Sequence, residues 1–351
     1  MTNLLEPWVL LVLVTQVLAF AVALRAVFPA YKVLRYFDVS RATEGQLSLE
    51  RQSQLSATFV RVAFGLQAAS LLFFMLAADK LRFGIRGAMC AYGVFAAHDL
   101  GFPALSAAAA AALVAGIGAE VCAYDDYVRT NALARPLAAV TFVVAVAFGV
   151  ACMYVTRFLL ALDLTVVSSC CSVHLDAESV GAETSSGGPR VPVSVAAVML
   201  AAGAIALGFA LRKKPHAALA IASGIVSLAA VPFALGAAVL EVAPYAFETP
   251  NHLCPFCMFR VEEGGLGYFF FGAVLFAGAR GGGLFVASLL SRASRTGLAS
   301  PSASLRSGDA LAQFARGRAR GMALAWAVAL AVGVYPVARF TLNAGGASLF
   351  R

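Results

Sequence analysis

The sequence predicts an all-α fold, a polytopic bundle of about eight transmembrane helices with both termini extracytoplasmic. Of its 351 residues, 61% are hydrophobic and only 13% are charged, which is about half the charged fraction of a soluble domain. The apolar residues fall in blocks of about twenty, the length that a helix needs to cross a bilayer. No ~10-residue alternation of the kind found in transmembrane β-barrels is present. The blocks are therefore expected to be membrane-spanning helices.

Eight blocks fit this length, and several begin or end beside a proline, as helices often do. They cover residues 7–28, 57–78, 103–123, 136–162, 192–211, 215–240, 265–289 and 321–341. The residues before the first block include no Lys or Arg, so this block is expected to be a retained span rather than a signal peptide. Pro232 and the run Gly281–Gly283 are predicted to kink or break the spans that contain them.

The connections between the blocks differ in composition, although the whole chain, 1–351, is expected to form one integral membrane domain. Residues 31–56 alternate charges with Leu and Val, which predicts an interfacial cytoplasmic element. Residues 291–320 are rich in Ser, Arg and Gly, which predicts a flexible basic cytoplasmic loop. Residues 163–191 and 241–264 are predicted to be extracytoplasmic loops that carry Cys and His. We find no internal repeat in the sequence.

The distribution of basic residues predicts the orientation of the bundle. Of the 26 Lys and Arg residues, 18 fall on one side of the eight predicted spans and 8 on the other. The richer side is expected to be cytoplasmic, which places both termini outside. Lys80, Arg82 and Arg86 lie on the extracytoplasmic side and depart locally from this rule. The net charge of +8 thus fits a lipid bilayer as the partner, and no nucleic acid is expected.

Cysteine and histidine collect on the predicted extracytoplasmic side. Five of the seven cysteines and three of the four histidines lie in, or at the edge of, three connections on that side. The three motifs are Gly87-Ala-Met-Cys-Ala-Tyr-Gly93, Ser168-Ser-Cys-Cys-Ser-Val-His174 and Asn251-His-Leu-Cys-Pro-Phe-Cys-Met258. The other two cysteines, Cys122 and Cys152, fall within spans and are expected to be packing residues. Glu120 and Glu241 lie close enough to span ends to extend toward the interface.

Two of these motifs have a spacing with chemical meaning. Cys254 and Cys257 form a CxxC element, which serves as a redox dithiol, as two metal ligands or as part of a structural disulfide. Cys170 and Cys171 are adjacent, and a bond between them is strained because neighbouring Cα atoms are only ~3.8 Å apart. They offer two thiolates to a soft ion or to other cysteines, or they are two buried small residues at a span end. His174 shares their face if the segment is helical.

Together these motifs supply thiols, imidazoles and a thioether as candidate metal ligands. The predicted set is Cys90, Cys170, Cys171, His174, His252, Cys254, Cys257 and Met258. Such a soft set favours copper, Cu(I) foremost, over Mg²⁺ or Ca²⁺. The first hypothesis is therefore a protein that binds or delivers Cu(I), for the maturation of an extracytoplasmic metalloprotein partner.

The second hypothesis is a membrane thiol–disulfide oxidoreductase. Cys254 and Cys257 would then be the catalytic dithiol, and Cys90, Cys170 and Cys171 would relay electrons through mixed disulfides with a thiol protein partner. The remaining alternatives are a structural subunit of a respiratory assembly and a solute transporter.

Three family resemblances accompany these motifs. Gly-Ala-Met-Cys-Ala-Tyr-Gly, Ser-Ser-Cys-Cys-Ser and His-x-Cys-Pro-Phe-Cys together resemble a family of bacterial polytopic membrane proteins, which implies a multi-pass protein of the bacterial inner (plasma) membrane. The element Cys254–Cys257 is similar to that of membrane thiol oxidoreductases of the DsbB and vitamin K epoxide reductase type, which implies a relay from CxxC to loop cysteines. Cys254–Met258 resembles the Cys-x-x-Cys-Gly-Met element of copper-delivery lipoproteins but lacks its Gly, and that resemblance implies copper binding.

Overall fold

Long helices dominate the structure, a computed structural model that describes residues 6–37, 44–128, 133–167, 190–250, 252–297 and 301–350. Within these ranges, eight helices are long and apolar enough to cross a membrane. The prediction of an all-α, multi-pass bundle with eight spans is thereby confirmed. Which side of the membrane each end faces stays a prediction.

The spans are connected by shorter helical elements. The α-helices are α1 Pro7–Tyr36, α2 Glu44–Leu81, α3 Ala91–Ala96, α4 Gly101–Val128, α5 Ala134–Ala161, α6 Arg190–Lys213, α7 Ala217–Ala237, α8 Ala243–Ala246, α9 Leu266–Gly297 and α10 Pro301–Asn343. A π-helical segment, Ala238–Val242, joins α7 to α8, so that these form one span. Two 3₁₀-helices, Pro255–Phe259 and Val261–Glu263, precede α9.

Several helices extend beyond the predicted spans. Residues 31–36 continue α1 and residues 44–56 begin α2, where the sequence predicted a separate interfacial element. Residues 291–297 and 301–320 belong to α9 and α10, where the sequence predicted a flexible loop. These polar segments are therefore the ends of helices α1, α2, α9 and α10, which continue beyond their apolar, membrane-spanning parts.

The run Gly281–Gly283 does not break its helix, because α9 continues unbroken through it, and α7 likewise continues through Pro232. A Cβ atom on Gly281 would overlap Ser227 of α7, and one on Gly283 would overlap the side chain of Glu120 on α4. The prediction of a break was therefore wrong. The glycines allow neighbouring helices to approach closely, as small residues do at helix contacts in membranes.

The eight spans divide into two halves with the same arrangement. In the N-terminal half, α1, α2, α4 and α5 form a ring in which each span contacts the next and α5 returns to α1. In the C-terminal half, α6, α7, α9 and α10 form the same ring in the same order. The halves meet mainly where α4 packs on α9, with a further contact between α4 and α10. The chain thus contains a structural repeat that the sequence did not reveal.

One end of the bundle gathers the connections that carry the described candidate residues. Residues 82–100 connect α2 to α4, and residues 247–265 connect α8 to α9; we call the end they form the cysteine end. Trp8 and Val9 at the start of α1 pack in the same apolar cluster as Ile85, Phe95 and Phe259 of these connections. The connection after α5 begins here too, because Val167 pairs with Arg86 through the backbone. All three predicted cysteine connections therefore start at one end of the bundle.

Candidate metal centre

The first cysteine connection turns sharply after α2 and places Cys90 before a short helix. Gly87 has a φ of 87°, a left-handed conformation that glycine adopts without steric cost. Cys90 itself is extended, with φ −151° and ψ 179°, and it immediately precedes α3. Its side chain is fully buried. The Gly-flanked motif of the sequence thus aims one thiol into the protein.

The second cysteine connection repeats this design in the C-terminal half. Cys254 is also extended and immediately precedes a short helix, the 3₁₀-helix that begins at Pro255, where a fixed φ suits the first helical position. Cys257 lies within that 3₁₀-helix. After it, Gly264 and Gly265 have φ values of 79° and 60°, and this left-handed pair turns the chain into α9. Corresponding connections of the two halves therefore each present cysteine beside a short helix.

The two connections meet so that three thiols form one group. The Sγ atoms of Cys90, Cys254 and Cys257 all lie within 4.8 Å of one another. Those of Cys90 and Cys254 are 3.6 Å apart, well beyond the ~2.05 Å of a disulfide bond. The three residues are 0%, 0% and 4% exposed. We call this group the cysteine cluster.

Aromatic side chains surround the cysteine cluster and separate it from solvent. Tyr92, Phe247 and Phe256 pack directly against the three cysteines. Phe256, which lies between the cysteines of the CxxC element, also contacts Phe95 and Phe102 of the N-terminal half, with ring centroids 5.7 and 6.0 Å apart. This contact fixes the CxxC turn against the other half of the molecule.

The spacing of the thiols suits a single soft metal ion. Three sulfurs bonded at about 2.3 Å to an ion at the centre of their triangle lie about 4.0 Å apart, and the sulfurs of the cysteine cluster are 3.6 Å to at most 4.8 Å apart. Among the described residues, no His or carboxylate joins the group. An all-sulfur donor set of this kind selects soft ions such as Cu(I) or Zn²⁺, although structural zinc sites take four protein ligands.

A buried arginine connects the two cysteine connections. Arg82 Nη1 donates to the carbonyl oxygen of Met89, next to Cys90, at 2.8 Å. Its Nη2 lies 3.2 Å from Oε1 of Glu262, in the other connection, and its Nε lies 3.2 Å from Oδ1 of Asp79. The side chains of Arg82 and Asp79 are only 7% and 4% exposed. Arg82 thus links the backbone beside Cys90 to the segment that follows Cys257.

A backbone hydrogen bond and the neighbouring positive charges favour the ionised form of the exposed carboxylate of Glu262. A backbone hydrogen bond at Glu262 itself, followed by the charges of Arg82, Arg260 and Lys80, lowers its pKa below the ordinary value. In the third connection, the backbone amide and hydroxyl of Thr165 donate to Asp163 and lower the pKa of that carboxyl as well.

The other candidate ligands have different positions. The His252 ring packs on Phe247, with centroids 4.4 Å apart, and it is not a member of the cysteine cluster. Met258 is buried against Val242, Ala243 and Leu266. Cys170, Cys171 and His174 lie outside the described residues. Of the five candidates within the described residues, the structure brings three together, namely Cys90, Cys254 and Cys257.

The two cysteines expected within spans lie there. Cys122 is buried in α4, and Cys152 is half-buried in α5, with its sulfur 3.9 Å from the Thr156 hydroxyl. Sequence reasoning did not identify Arg82 as part of the site. The sequence did contain a signal for Arg82, because Lys80, Arg82 and Arg86 are positive charges that depart from the orientation rule. In the structure, Arg82 contacts both cysteine connections.

No family model, curated protein or solved structure matches this chain.

Proposed function

We propose that this protein binds a soft metal ion, Cu(I) foremost, at the cysteine cluster and delivers it to an extracytoplasmic metalloprotein. The observation that carries the proposal is the meeting of three buried thiols from two halves of the molecule at distances that suit one ion. Copper is favoured over zinc because the described group offers three sulfurs and no fourth protein ligand of the kind a structural zinc site uses.

Three features of the surroundings support a stored ion rather than a structural one. The cysteine cluster lies in the connections outside the eight candidate spans, at one end of the bundle, which is the part of the molecule that a water-soluble partner approaches. The hydrogen bond from Arg82 to the Met89 carbonyl and its ion pair with Glu262 hold the two cysteine connections together without any ion. The aromatic side chains packed against the cysteines bury their sulfurs.

The test is metal analysis of purified, reduced protein loaded with Cu(I) under anaerobic conditions. We expect one copper per chain in the wild type, and loss of that copper in Cys90→Ser, Cys254→Ser and Cys257→Ser. Cys152→Ala, which removes a sulfur outside the cluster, is the matched control and should retain copper. Wild-type protein that takes up no copper would overturn the proposal.

Delivery outside the cytoplasm requires the cysteine end to face that side of a bacterial plasma membrane, as the basic residues predict. Val261, at this end, and Leu47, at the start of α2, are 64% and 58% exposed and lie at opposite ends of the bundle. In spheroplasts, a membrane-impermeant maleimide should label Val261→Cys and spare Leu47→Cys. The reverse pattern would place the cluster on the cytoplasmic side and contradict extracytoplasmic delivery.

A second candidate function is thiol–disulfide exchange, which the 3.6 Å contact between Cys90 and Cys254 favours. Closing this contact to a bond of ~2.05 Å removes two electrons and two protons from the pair. A disulfide of a thiol protein partner would accept both and become two thiols. Acid quenching followed by alkylation distinguishes the two functions, since exchange requires two fewer modifiable thiols after incubation with an oxidised partner and copper binding requires no such change.

A further inference from the structure

The C-terminal half contains an apolar cavity between its spans. The cavity has a volume of about 350 Å³, and side chains from all four spans of this half, α6, α7, α9 and α10, line it. Pockets that hold small molecules in proteins measure about 300–1,000 Å³, whereas ordinary interiors have few voids larger than a water molecule. Because an empty apolar void lowers stability, a cavity of this size indicates a ligand.

The N-terminal half fills the space between its spans with aromatic rings. Phe74 of its second span and Phe158 of its fourth are buried, with ring centroids 5.9 Å apart. In the C-terminal half, the second and fourth spans instead place Ala237 and Ala329 on the wall of the cavity. The cavity therefore results from the small side chains of this half and not from the shared arrangement of spans.

The cavity is long and opens sideways. On α10 its lining residues run from Trp326 to Val337, a rise of about 16 Å along the helix. Met199 on α6 and Val334 on α10, the neighbouring span of the ring, also line it, and they are 67% and 49% exposed. The mouth of the cavity therefore lies between two spans, on the apolar surface that faces the fatty chains of a bilayer.

One end of the cavity is polar. Glu241 lines this end, and its carboxylate accepts from Nε and Nη2 of Arg190 at 2.6 and 3.0 Å. Ser194, one turn further along α6, also lines the cavity, and its buried hydroxyl has no hydrogen-bond partner among the described residues. Because a buried hydroxyl without a partner is costly, Ser194 indicates a ligand that carries an oxygen acceptor at this end.

We propose that this cavity binds the fatty acyl chain of a membrane phospholipid. The chain enters between α6 and α10 and extends along α10 toward Trp326, and its ester carbonyl oxygen accepts a hydrogen bond from Ser194. Ser194 lies near the start of its span, at the depth where the ester groups of a bilayer lie below the polar headgroups. The proposal involves no residue of the cysteine cluster and goes beyond metal binding.

The polar groups of the cavity favour an acyl ester over an isoprenoid quinone. A quinone ring has carbonyl oxygens on opposite sides and needs a donor for each. The described lining offers one unpartnered donor, Ser194, because the indole N–H of Trp326 already donates to Ser227. A single ester carbonyl matches this single donor.

Trp326 reports on the cavity directly. It is 1% exposed and lines the cavity, and the chain has one other tryptophan, Trp8. In full-length Trp8→Phe, reconstituted into vesicles of phosphatidylcholine whose acyl chains carry bromine, the tryptophan emission comes from Trp326 alone. Bromine quenches an indole only on close approach, so we expect most of this emission to be lost relative to vesicles without bromine.

Filling the cavity should restore the emission. Ala329→Phe, added to Trp8→Phe, occupies the space and should keep Trp326 bright in brominated vesicles. Val328→Phe is the matched control, because Val328 is the adjacent residue, is 46% exposed and does not line the cavity; Trp326 should stay quenched in it. Ala237→Leu fills the cavity from α7 and gives a second filled variant that leaves the helix of Trp326 unchanged.

The hydrogen bond of Ser194 is tested by the rate at which the lipid leaves. When protein loaded with brominated lipid is diluted into an excess of unbrominated vesicles, the emission of Trp326 recovers as the brominated chain departs. Because one neutral hydrogen bond is lost, Ser194→Ala should speed this recovery about two- to tenfold. Ser194→Thr, which keeps the hydroxyl, should recover at the rate of the unchanged residue.

Three results would contradict the proposal. Unquenched Trp326 in Trp8→Phe would show that no acyl chain enters the cavity, and equal quenching in both filled variants would show that the chain lies elsewhere. Quenching by ubiquinone in vesicles without bromine, together with none by brominated lipid, would assign the cavity to a quinone. An unchanged recovery rate in Ser194→Ala would overturn the hydrogen bond to the ester.

Discussion

The N-terminal and C-terminal halves share one arrangement of spans but use different side chains to hold it. On α2 of the N-terminal half, buried Gln67 accepts from Nε2 of Gln16 on α1 at 3.1 Å and donates to a backbone carbonyl of α4 at 3.2 Å. On α7, the corresponding span, Ser227 donates to a backbone carbonyl of α9 at 2.9 Å and accepts from the Trp326 indole at 2.9 Å. Each half therefore joins its second and third spans through one buried polar side chain, although the residue types differ.

The halves also differ in the charges they bring to their shared boundary. At the cysteine end, the N-terminal half supplies Arg82 and the C-terminal half supplies Glu262. Elsewhere on the boundary between the halves, the N-terminal half supplies Glu120, which pairs with Arg280 and Arg318 of the C-terminal half at 3.2 and 2.9 Å. The N-terminal half therefore carries the positive partner at the cysteine end and the negative partner at this second place. Two halves built on one plan form a single shared site because their boundary groups are complementary rather than identical.

Breaking the pairing at the cysteine end should have the largest effect. Arg82→Met removes the link between the two cysteine connections and leaves the buried carboxylate of Asp79 without its partner. Because removing one member of a buried ion pair leaves an uncompensated charge, the free energy of unfolding should fall by about 3–5 kcal/mol, and copper binding should weaken. Denaturant titration in detergent and copper stoichiometry measure the two effects.

The double variant Asp79→Asn with Arg82→Met is the control for that experiment. It removes the uncompensated charge and should recover much of the stability, while copper binding stays weak because Met89 and Glu262 remain disconnected. Full recovery of copper binding in the double variant would show that Arg82 acts on stability alone.

Breaking the other pairing should have a smaller effect on stability and none on copper. Glu120→Gln leaves Arg280 and Arg318 without a carboxylate between the halves. Because these side chains are 13–27% exposed, and therefore less buried than those of Arg82 and Asp79, we expect a smaller decrease of about 1–3 kcal/mol in the free energy of unfolding. Unchanged copper stoichiometry would show that the two places on the boundary act independently, whereas loss of copper would show that they are coupled.

Within the halves, the corresponding polar links can be compared directly. Gln67→Leu leaves the buried amide of Gln16 short of a partner and should cost about 1–3 kcal/mol. Ser227→Ala leaves the Trp326 indole N–H short of an acceptor and should cost about 1–2 kcal/mol, because one neutral donor is lost. The two variants are compared by denaturant titration under one set of conditions. A larger loss for Ser227→Ala would mean that the C-terminal half depends more on its link.

The sequence predicted the spans well because hydropathy and length depend on local composition. It did not reveal the repeat, because Gln67 and Ser227 perform the same link with unrelated side chains and no residue pattern survives between them. Glu120 and Glu241 were expected to extend toward the interface, yet each is ion-paired, Glu241 with Arg190 at 2.6 Å. Such pairings join helices far apart in sequence and depend on the packing of the whole bundle.

The candidate site, too, was predicted only as far as local sequence determines it. Hydropathy gives the number of spans between Cys90 and the pair Cys254 and Cys257. That number alone predicts that the three cysteines lie at the same end of the bundle. The exclusion of His252 from the cysteine cluster depends on a ring contact with Phe247, and the role of Arg82 depends on hydrogen bonds across 180 residues of chain. Neither feature has a local signature in the sequence.

The smallest predicted effect is the pH dependence of the stability that Glu262 contributes at the cysteine end, where the two halves meet. The pKa of Glu262 is lowered from its ordinary value of 4.5, first by a backbone hydrogen bond and then by Arg82, Arg260 and Lys80. Since the folded protein favours the charged carboxylate, the contribution of Glu262 to stability is fully present above pH 4.5 and is lost as the pH falls through the lowered pKa. The difference in melting temperature between wild type and Glu262→Gln should therefore be constant above pH 4.5 and shrink toward zero in stronger acid. Glu44→Gln, a change to an exposed carboxylate at the opposite end of the bundle, controls for general effects of acid. A difference that persisted at the lowest pH would mean that Glu262 joins the halves by packing rather than by charge.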